Sequence, residues 1–196
     1  MKVLVAGAGG FLGQAVVEVL AAEHSLRLFD RQHLDTPHES VVGDVADYES
    51  VRQALSGCDA LVDVIMAHES TYEGAAKVAF DTNVRGMYTL LEAARGLGIR
   101  QVVHLSTGSV YSDQPPGTRF THAMRPGARG VYALTKLLQE EICRCFAESH
   151  GMGVTVFRPW GIHDVAQGIN KYGPSSSRAW STIDRYDIAR AIALAL

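Results

Sequence analysis

The sequence predicts an α/β fold, a doubly wound parallel sheet with a small or truncated C-terminal portion, and three observations carry that expectation. Apolar runs of strand length alternate with amphipathic helix patterns along the chain, and parallel strands need such helical crossovers. The first strand, Lys2 to Ala6, runs into Gly7-Ala8-Gly9-Gly10-Phe11-Leu12-Gly13 and then into a helix pattern with Leu12, Ala15, Val16, Val19 and Leu20 on one face. A second strand, Leu26 to Phe29, stops at Asp30, about twenty residues beyond the glycines.

Strand, glycines, helix, strand and acid in this order form a dinucleotide-binding unit, the opening of a Rossmann fold. Side chains are missing where a phosphate must approach the backbone, and the free N–H groups and positive end of the helix face it. A bare glycine-rich turn is about as often a plain tight connection, so the context carries the inference. The spacing Gly7-x-x-Gly10-x-x-Gly13 departs from G-x-G-x-x-G, because Leu12 stands where the last glycine of that fingerprint would fall. It resembles the spacing of short-chain dehydrogenases and reductases. Gly7, Gly10, Phe11, Leu12 and Gly13 are therefore candidate cofactor contacts, together with Asp30 and Arg31. A carboxylate at position 30 accepts from a ribose 2′-OH and repels a 2′-phosphate, so NAD is expected over NADP, with Arg31 pulling the other way.

The remaining elements follow in order. A polar connection leads to a short strand, Ser40 to Gly43, after which Asp44 and Val45 are candidates for the adenine side of the cofactor; Asp44 serves equally well as a cap. Asp47 is the expected N-cap of a helix carrying Val51, Ala54 and Leu55. The near-continuous apolar run Ala60 to Ala67 reads as a strand covered on both faces, with Ala67 over the cofactor. A long helix follows, roughly Gly74 to Gly98, with a stripe of Phe80, Val84, Tyr88, Leu91, Ala94 and Leu97. Asn83 sits inside it, where asparagine more often just faces solvent.

The strand Gln101 to Leu105 ends in a run of hydroxyls, Ser106-Thr107-Gly108-Ser109. Asp113 to Gly130, with Pro115, Pro116 and Pro126, reads as a long loop over the site. The helix Tyr132 to Glu148 is expected to bury Leu134, Leu137, Leu138, Ile142 and Phe146. A strand Val154 to Arg158, a loop Trp160 to Ser181 and a closing helix Asp184 to Leu196 complete the chain. The expected strand order is 3-2-1-4-5-6, which places Gly7 to Gly13, Asp30, Ala67, Thr107 and Arg158 along one carboxyl rim. Residues 1–158 then form the NAD-binding part, catalytic helix included, and 159–196 a shortened substrate-binding part.

Composition narrows the function classes. With 47% hydrophobic and 20% charged residues among 196, the chain suits one domain with a real core. A net charge of −3 carries no footprint for nucleic acid or an anionic membrane. Apolar stretches are strand-sized and the N-terminus is itself a strand, so no signal peptide or spanning helix is expected, and the cytoplasm is the default address. Cys58, Cys143 and Cys145 are expected to be buried or half-buried free thiols, and the eight scattered histidines suggest no metal site.

Tyr132 and Lys136, four apart on a helix, emerge on one face, where the ammonium is expected to lower the tyrosine from about 10 towards neutrality. Thr107 offers a hydroxyl on the rim to hold a substrate oxygen while hydride passes to or from a nicotinamide. Taken alone, Y-x-x-x-K is common by chance as a plain helix start. The set is more specific: Gly7-x-x-Gly10-x-x-Gly13, Asp30, Gly43-Asp44-Val45, Asn83-Val84-Arg85-Gly86 with Leu90 to Ala94, Ser106-Thr107 with Val110-Tyr111, Tyr132-x-x-x-Lys136 and Arg158-Pro159 occur in that order. Together they resemble the extended short-chain dehydrogenases, and within them the NAD-dependent epimerase/dehydratase family acting on nucleotide sugars.

That resemblance implies a hydroxyl role for Thr107, acid/base catalysis by Tyr132, and for Lys136 the roles of its partner and a ribose ligand. It also implies a place near the cofactor for Asn83 and makes Asp187 the match to the family's D-v-A-r-A motif, where an acid in a first helical turn is the plainer reading. A homodimer through the helices Gly74 to Leu97 and Tyr132 to Ser149 is implied as well. Gly108-Ser109 replaces the Asp-Glu pair of sugar 4,6-dehydratases, so that elimination is not expected, and Arg158-Pro159-Trp160-Gly161-Ile162-His163-Asp164 alters the loop beyond the strand. With the short stretch after Arg158, a nucleotide-diphosphate pocket is expected to be incomplete. The expected activity is NAD-dependent hydride transfer at a sugar or nucleotide-sugar hydroxyl. The alternatives are a dehydrogenase of a small free sugar or uronate, and a non-catalytic dinucleotide-binding regulator, against which the intact Thr107, Tyr132 and Lys136 count.

Overall fold

A computed structural model describes residues 1–67, 74–115, 117–121, 123–174 and 182–196. Six parallel strands, β1 (Lys2–Ala6), β2 (Ser25–Asp30), β3 (Glu39–Val42), β4 (Ala60–Asp63), β5 (Gln101–Leu105) and β6 (Gly153–Phe157), pair in the order β3-β2-β1-β4-β5-β6. This is the expected doubly wound sheet, with the chain order reversing beside β1.

Side-chain alternation explains why the sheet is covered twice. Leu4 and Ala6 of β1 join Leu61 and Val102 on one face, while Val3 and Val5 join Ala60, Val62 and Val103 on the other. The first face packs against α2 (Tyr48–Leu55) and α4 (Gly86–Gly96), the second against α1 (Phe11–Leu20) and α6 (Arg185–Ala195). Each fully buried Leu or Val adds about 1.5–3 kcal/mol of transfer free energy, so two such layers hold the sheet rigid beneath its rim. Asp47 caps α2 as expected, accepting from Ser50 N at 3.3 Å, and Asp184 caps α6, accepting from Tyr186 N at 2.8 Å.

Four expectations change. First, β4 stops at Asp63 rather than Ala67, because the Asp63 carboxylate accepts from Ile65 N at 3.1 Å and turns the chain out of the sheet. Second, the long helix is α3 (Ala75–Ala79), a π-turn at Phe80–Arg85 and α4, and the extra residue rotates its faces. Ala79, Asn83, Met87, Leu90 and Leu91 point inward, whereas Phe80, Tyr88 and Leu97 are exposed.

Third, α5 (Val131–His150) buries a polar face, Thr135, Lys136, Gln139 and Glu140, together with Cys143 and Phe146. Leu134 is exposed and Leu137, Leu138 and Ile142 are only partly buried, because the sheet edge that α5 meets carries polar groups of its own. Cys145 on this helix is exposed rather than half-buried. Fourth, the expected loop after Trp160 holds four short strands, β7 (Ile162–Asp164), β8 (Ile169–Asn170), β9 (Gly173–Pro174) and β10 (Ile183–Asp184), paired as β10-β7-β8-β9. Pro116, His122 and residues 175–181 of the two expected loops lie outside the described residues.

Candidate active site

At the carboxyl rim lies a cavity of about 470 Å³ whose walls include Gly7, Gly9, Gly10, Phe11, Leu12, Gly13, Asp30, Arg31, Val45, Thr107, Tyr132 and Lys136. Two glycines are required by geometry. Gly7 has φ +87°, in the left-handed region, and a Cβ on Gly13 would stand 2.2 Å from Gly7 O, so the turn and the first helical turn touch backbone to backbone. No side chain caps α1, whose N-cap is Gly10, so the positive end of the helix stays open to the cavity.

Asp30 at the end of β2 accepts from Gly9 N at 2.9 Å and from Gln32 N at 3.2 Å. Its carboxylate thus sits beside the glycine turn, which brings an anion-binding helix end and a ribose-type acceptor into one cavity. This donor and acceptor set fits a dinucleotide with one negatively charged linker.

Thr107 follows β5 and caps the short 3₁₀ turn Gly108–Tyr111, accepting from Ser109 N at 3.2 Å. Its side chain lines the same cavity as Tyr132. Burial pushes the Tyr132 phenol up, with the Thr107 hydroxyl pulling the other way, so the expected lowering towards neutrality is not met. Desolvation of the phenol itself is the largest cause. Lys136 is buried as well, and desolvation brings it from 10.5 down to about 8, against the pull of Asp63.

Below the cavity lies a buried polar layer that spacing alone does not reveal. His104 Nδ1 and Asp63 Oδ2 meet at 2.8 Å across neighbouring strands, and burial pushes His104 down. Glu140 accepts from Arg158 Nε at 2.9 Å and Nη2 at 2.6 Å, and from Ser106 Oγ. Arg158 also donates to the Tyr111 hydroxyl, so this rim residue braces the floor instead of facing the cavity.

Four other candidates, Asn83, Ala67, Asp44 and Asp187, stand outside the cavity wall. Asn83 is fully buried; its Oδ1 accepts from Ala67 N and its Nδ2 donates to Ala67 O and Thr135 Oγ1, each at 2.9 Å. It therefore positions the chain after β4 and does not line the cofactor space, and Ala67 is spent on the same clamp. Asp44 accepts from Ala46 N at 2.8 Å in the turn before α2, whose cap is Asp47. Asp187, on the exposed side of α6, pairs with Arg190 at 2.5 Å, as a first-turn acid does.

The far wall comes from the segment read as plain loop. Trp160, His163, Asn170, Lys171 and Tyr172 face the cavity, and the turn between β8 and β9 is held by Tyr172 N donating to Asn170 Oδ1 at 2.8 Å. The glycines and serines around them masked this wall in the sequence; the aromatic pair Trp160 and Tyr172 was the available signal. Among the described residues no helix is long and apolar enough to cross a membrane.

A doubly wound sheet with a glycine-rich turn, an acid at the end of β2 and a Thr, Tyr and Lys at its rim defines the class of Rossmann-fold proteins in the short-chain dehydrogenase/reductase superfamily. More narrowly, the chain belongs to the NAD dependent epimerase/dehydratase family, whose model matches residues 3–185. Sterol demethylase protein B of Methylococcus capsulatus is 33% identical over 171 residues, covering 83% of this chain and 52% of that protein. A dTDP-glucose 4,6-dehydratase of Mycobacterium tuberculosis is 30% identical over 192 residues, covering 89% and 57%. The chain thus spans about half the length of the curated relatives it matches.

Among solved structures, a short-chain dehydrogenase/reductase superfamily protein from Agrobacterium tumefaciens with bound NAD superposes with a TM-score of 0.78 at 32% identity, over 84% of this chain and 50% of that one. Uronate dehydrogenase from Agrobacterium tumefaciens reaches 0.83 at 24% identity, over 98% and 70%, a likeness of fold.

Proposed function

We propose that the chain is an NAD-dependent oxidoreductase or isomerase acting on a sugar or nucleotide-sugar hydroxyl. The observation that carries this reading is that Thr107, Tyr132 and buried Lys136 line the same cavity as the glycine turn and Asp30. Residues 1–158 hold the cofactor and 159–196 contribute to the substrate side. The NAD-bound relative supports the cofactor, and the dehydratase relative supports the substrate class.

In this reading Gly7, Gly10 and Gly13 let the backbone reach the diphosphate of NAD, Asp30 holds the adenosine ribose, and Phe11, Leu12, Arg31 and Val45 wall that end. NAD supplies a hydride acceptor at its nicotinamide. Thr107 holds the substrate oxygen, and Tyr132 exchanges the hydroxyl proton, its phenolate favoured by the Thr107 hydroxyl. Lys136 lends positive charge below the phenol, and the buried Asp63 carboxylate favours its ammonium form. Gly108 and Ser109 bring no carboxyl group, so elimination of water is not part of the proposal.

The reading extends to a cytoplasmic homodimer built through α4 and α5. The test is incubation with NAD and a panel of free and nucleotide-linked sugars, following absorbance and product isomers. Stoichiometric NADH marks a dehydrogenase, and isomer formation without net NADH an epimerase. NAD binding without any turnover would overturn the enzymatic reading in favour of a regulator.

A further inference from the structure

Trp160 is the first residue after Pro159, and its indole occupies the place that a side chain at position 108 would take. A Cβ built on Gly108 would stand 2.2 Å from Trp160 Cε2 and 2.4 Å from Cδ2. The two backbones are tied together, since Gly108 N donates to Pro159 O at 2.8 Å, so neither segment slides away. Beside it Phe120 meets the indole with centroids 5.6 Å apart and stacks on Tyr111 at 5.0 Å.

Despite this backing Trp160 is 41% exposed, and it lines the same cavity as Thr107 and Tyr132. A large flat ring, held against Gly108 and Phe120 and forming part of a cavity wall with two hydroxyl side chains, is suited to a ligand with one apolar face and a polar rim. A sugar ring has that shape: a face of C–H bonds and a rim of hydroxyls.

We propose that Trp160 is a specificity-determining residue, a platform on which the sugar ring lies with its C–H face while a ring hydroxyl reaches Thr107 and Tyr132. Gly108 is the other half of the device, small so that the indole fits against the turn that follows Thr107. The proposal rests on the sugar reading above and adds the residue that selects the ring.

The test uses Trp160→Ala, Trp160→Phe, Gly108→Ala and the double variant Gly108→Ala/Trp160→Ala, with D-galactose, D-glucuronate and UDP-glucose as probes in the presence of NAD. Trp160→Ala is expected to raise KM for the accepted sugar by roughly tenfold or more with a much smaller change in kcat, and Trp160→Phe to fall between. Gly108→Ala should lower kcat/KM by displacing the indole, and the double variant should be no worse than Trp160→Ala alone, because the displaced ring is already gone. Unchanged melting temperature and NAD affinity separate this from damage to the fold. A KM within about twofold of wild type for Trp160→Ala, or effects of the two substitutions that multiply, overturns the platform while turnover upholds the enzymatic reading.

A second readout holds if none of the sugars is turned over. The chain has two tryptophans, so in Trp180→Phe the emission comes from Trp160 alone. Saturable quenching by one of the same sugars then supports the platform although the enzymatic reading has failed. No change in emission with any of them overturns both.

Discussion

Asn83 holds both the N–H and the C=O of Ala67 at 2.9 Å, from inside a helix and across 16 residues of chain. A side-chain amide that closes on both backbone groups of one residue in this way fixes the chain four residues beyond β4. The π-turn at Phe80–Arg85 turns Asn83 inward, so an irregular helix supports the loop entering the site. Replacing Asn83 by Ala removes the partner of both part-buried backbone groups of Ala67, while Thr135 Oγ1 keeps its bond to Tyr132 O, and is expected to destabilise the protein by about 1–3 kcal/mol, measured by denaturant unfolding. NAD affinity should fall with it, read by calorimetry; wild-type stability in the variant would show that the clamp contributes nothing.

Asp30 makes the cofactor preference testable. Its carboxylate lies against Gly9 N at 2.9 Å, where a 2′-phosphate would meet negative charge. NAD is expected to bind more tightly than NADP, and Asp30→Ala to narrow the gap chiefly by weakening NAD. Calorimetric titration of both cofactors decides it, and tighter NADP binding by wild type would refute the assignment.

Tyr132→Phe removes the phenolic hydroxyl and little else. Turnover is expected to fall by about 10² to 10⁴ with NAD affinity nearly intact. Burial holds the phenol above its ordinary value, so oxidation should accelerate towards alkaline pH as phenolate becomes accessible. If the Phe variant keeps more than about a tenth of the wild-type rate, Tyr132 is not the acid/base.

Lys136 links catalysis to stability in opposite directions. Its folded value of about 8 lies below the ordinary 10.5, so between these the unfolded chain binds the proton and the folded chain does not. Stability conferred by this group therefore rises as pH climbs through that window, and below it the buried ammonium is a cost. Relative to Lys136→Met, wild type should gain stability from neutral to alkaline pH, measured by denaturant midpoints. The same variant should lose both turnover and NAD affinity, since the charge serves the phenol and the nicotinamide ribose in the proposed site.

Exposed apolar side chains mark the face proposed for dimerisation. Phe80, Tyr88 and Leu134 are each about two-fifths exposed or more, at 39%, 53% and 40%. A twofold pairing would cover them. Light scattering at micromolar concentration is expected to give a dimer, and Leu134→Glu a monomer with unchanged circular dichroism; a wild-type monomer would exclude this face as an interface.

Local spacing made the sheet order and the glycine turn readable. From Lys2 to Asp30 every requirement lies within thirty residues: a strand, a left-handed Gly7, a contact at Gly13 and an acid at the next strand end. The four-residue step from Tyr132 to Lys136 likewise fixes a shared helix face before anything is packed on it. Periodicity states which residues share a face but not which face turns inward. On α5 that choice went to Lys136 and Glu140 over Leu134, because the carboxyl ends of β4, β5 and β6 bring Asp63, His104 and Arg158 to that side. Partners separated by tens of residues decided the rest: Asp63 with His104, Asn83 with Thr135, Gly108 with Trp160. Each depends on two distant segments arriving at one place, which is a property of the packed tertiary structure and leaves no periodic mark along the chain.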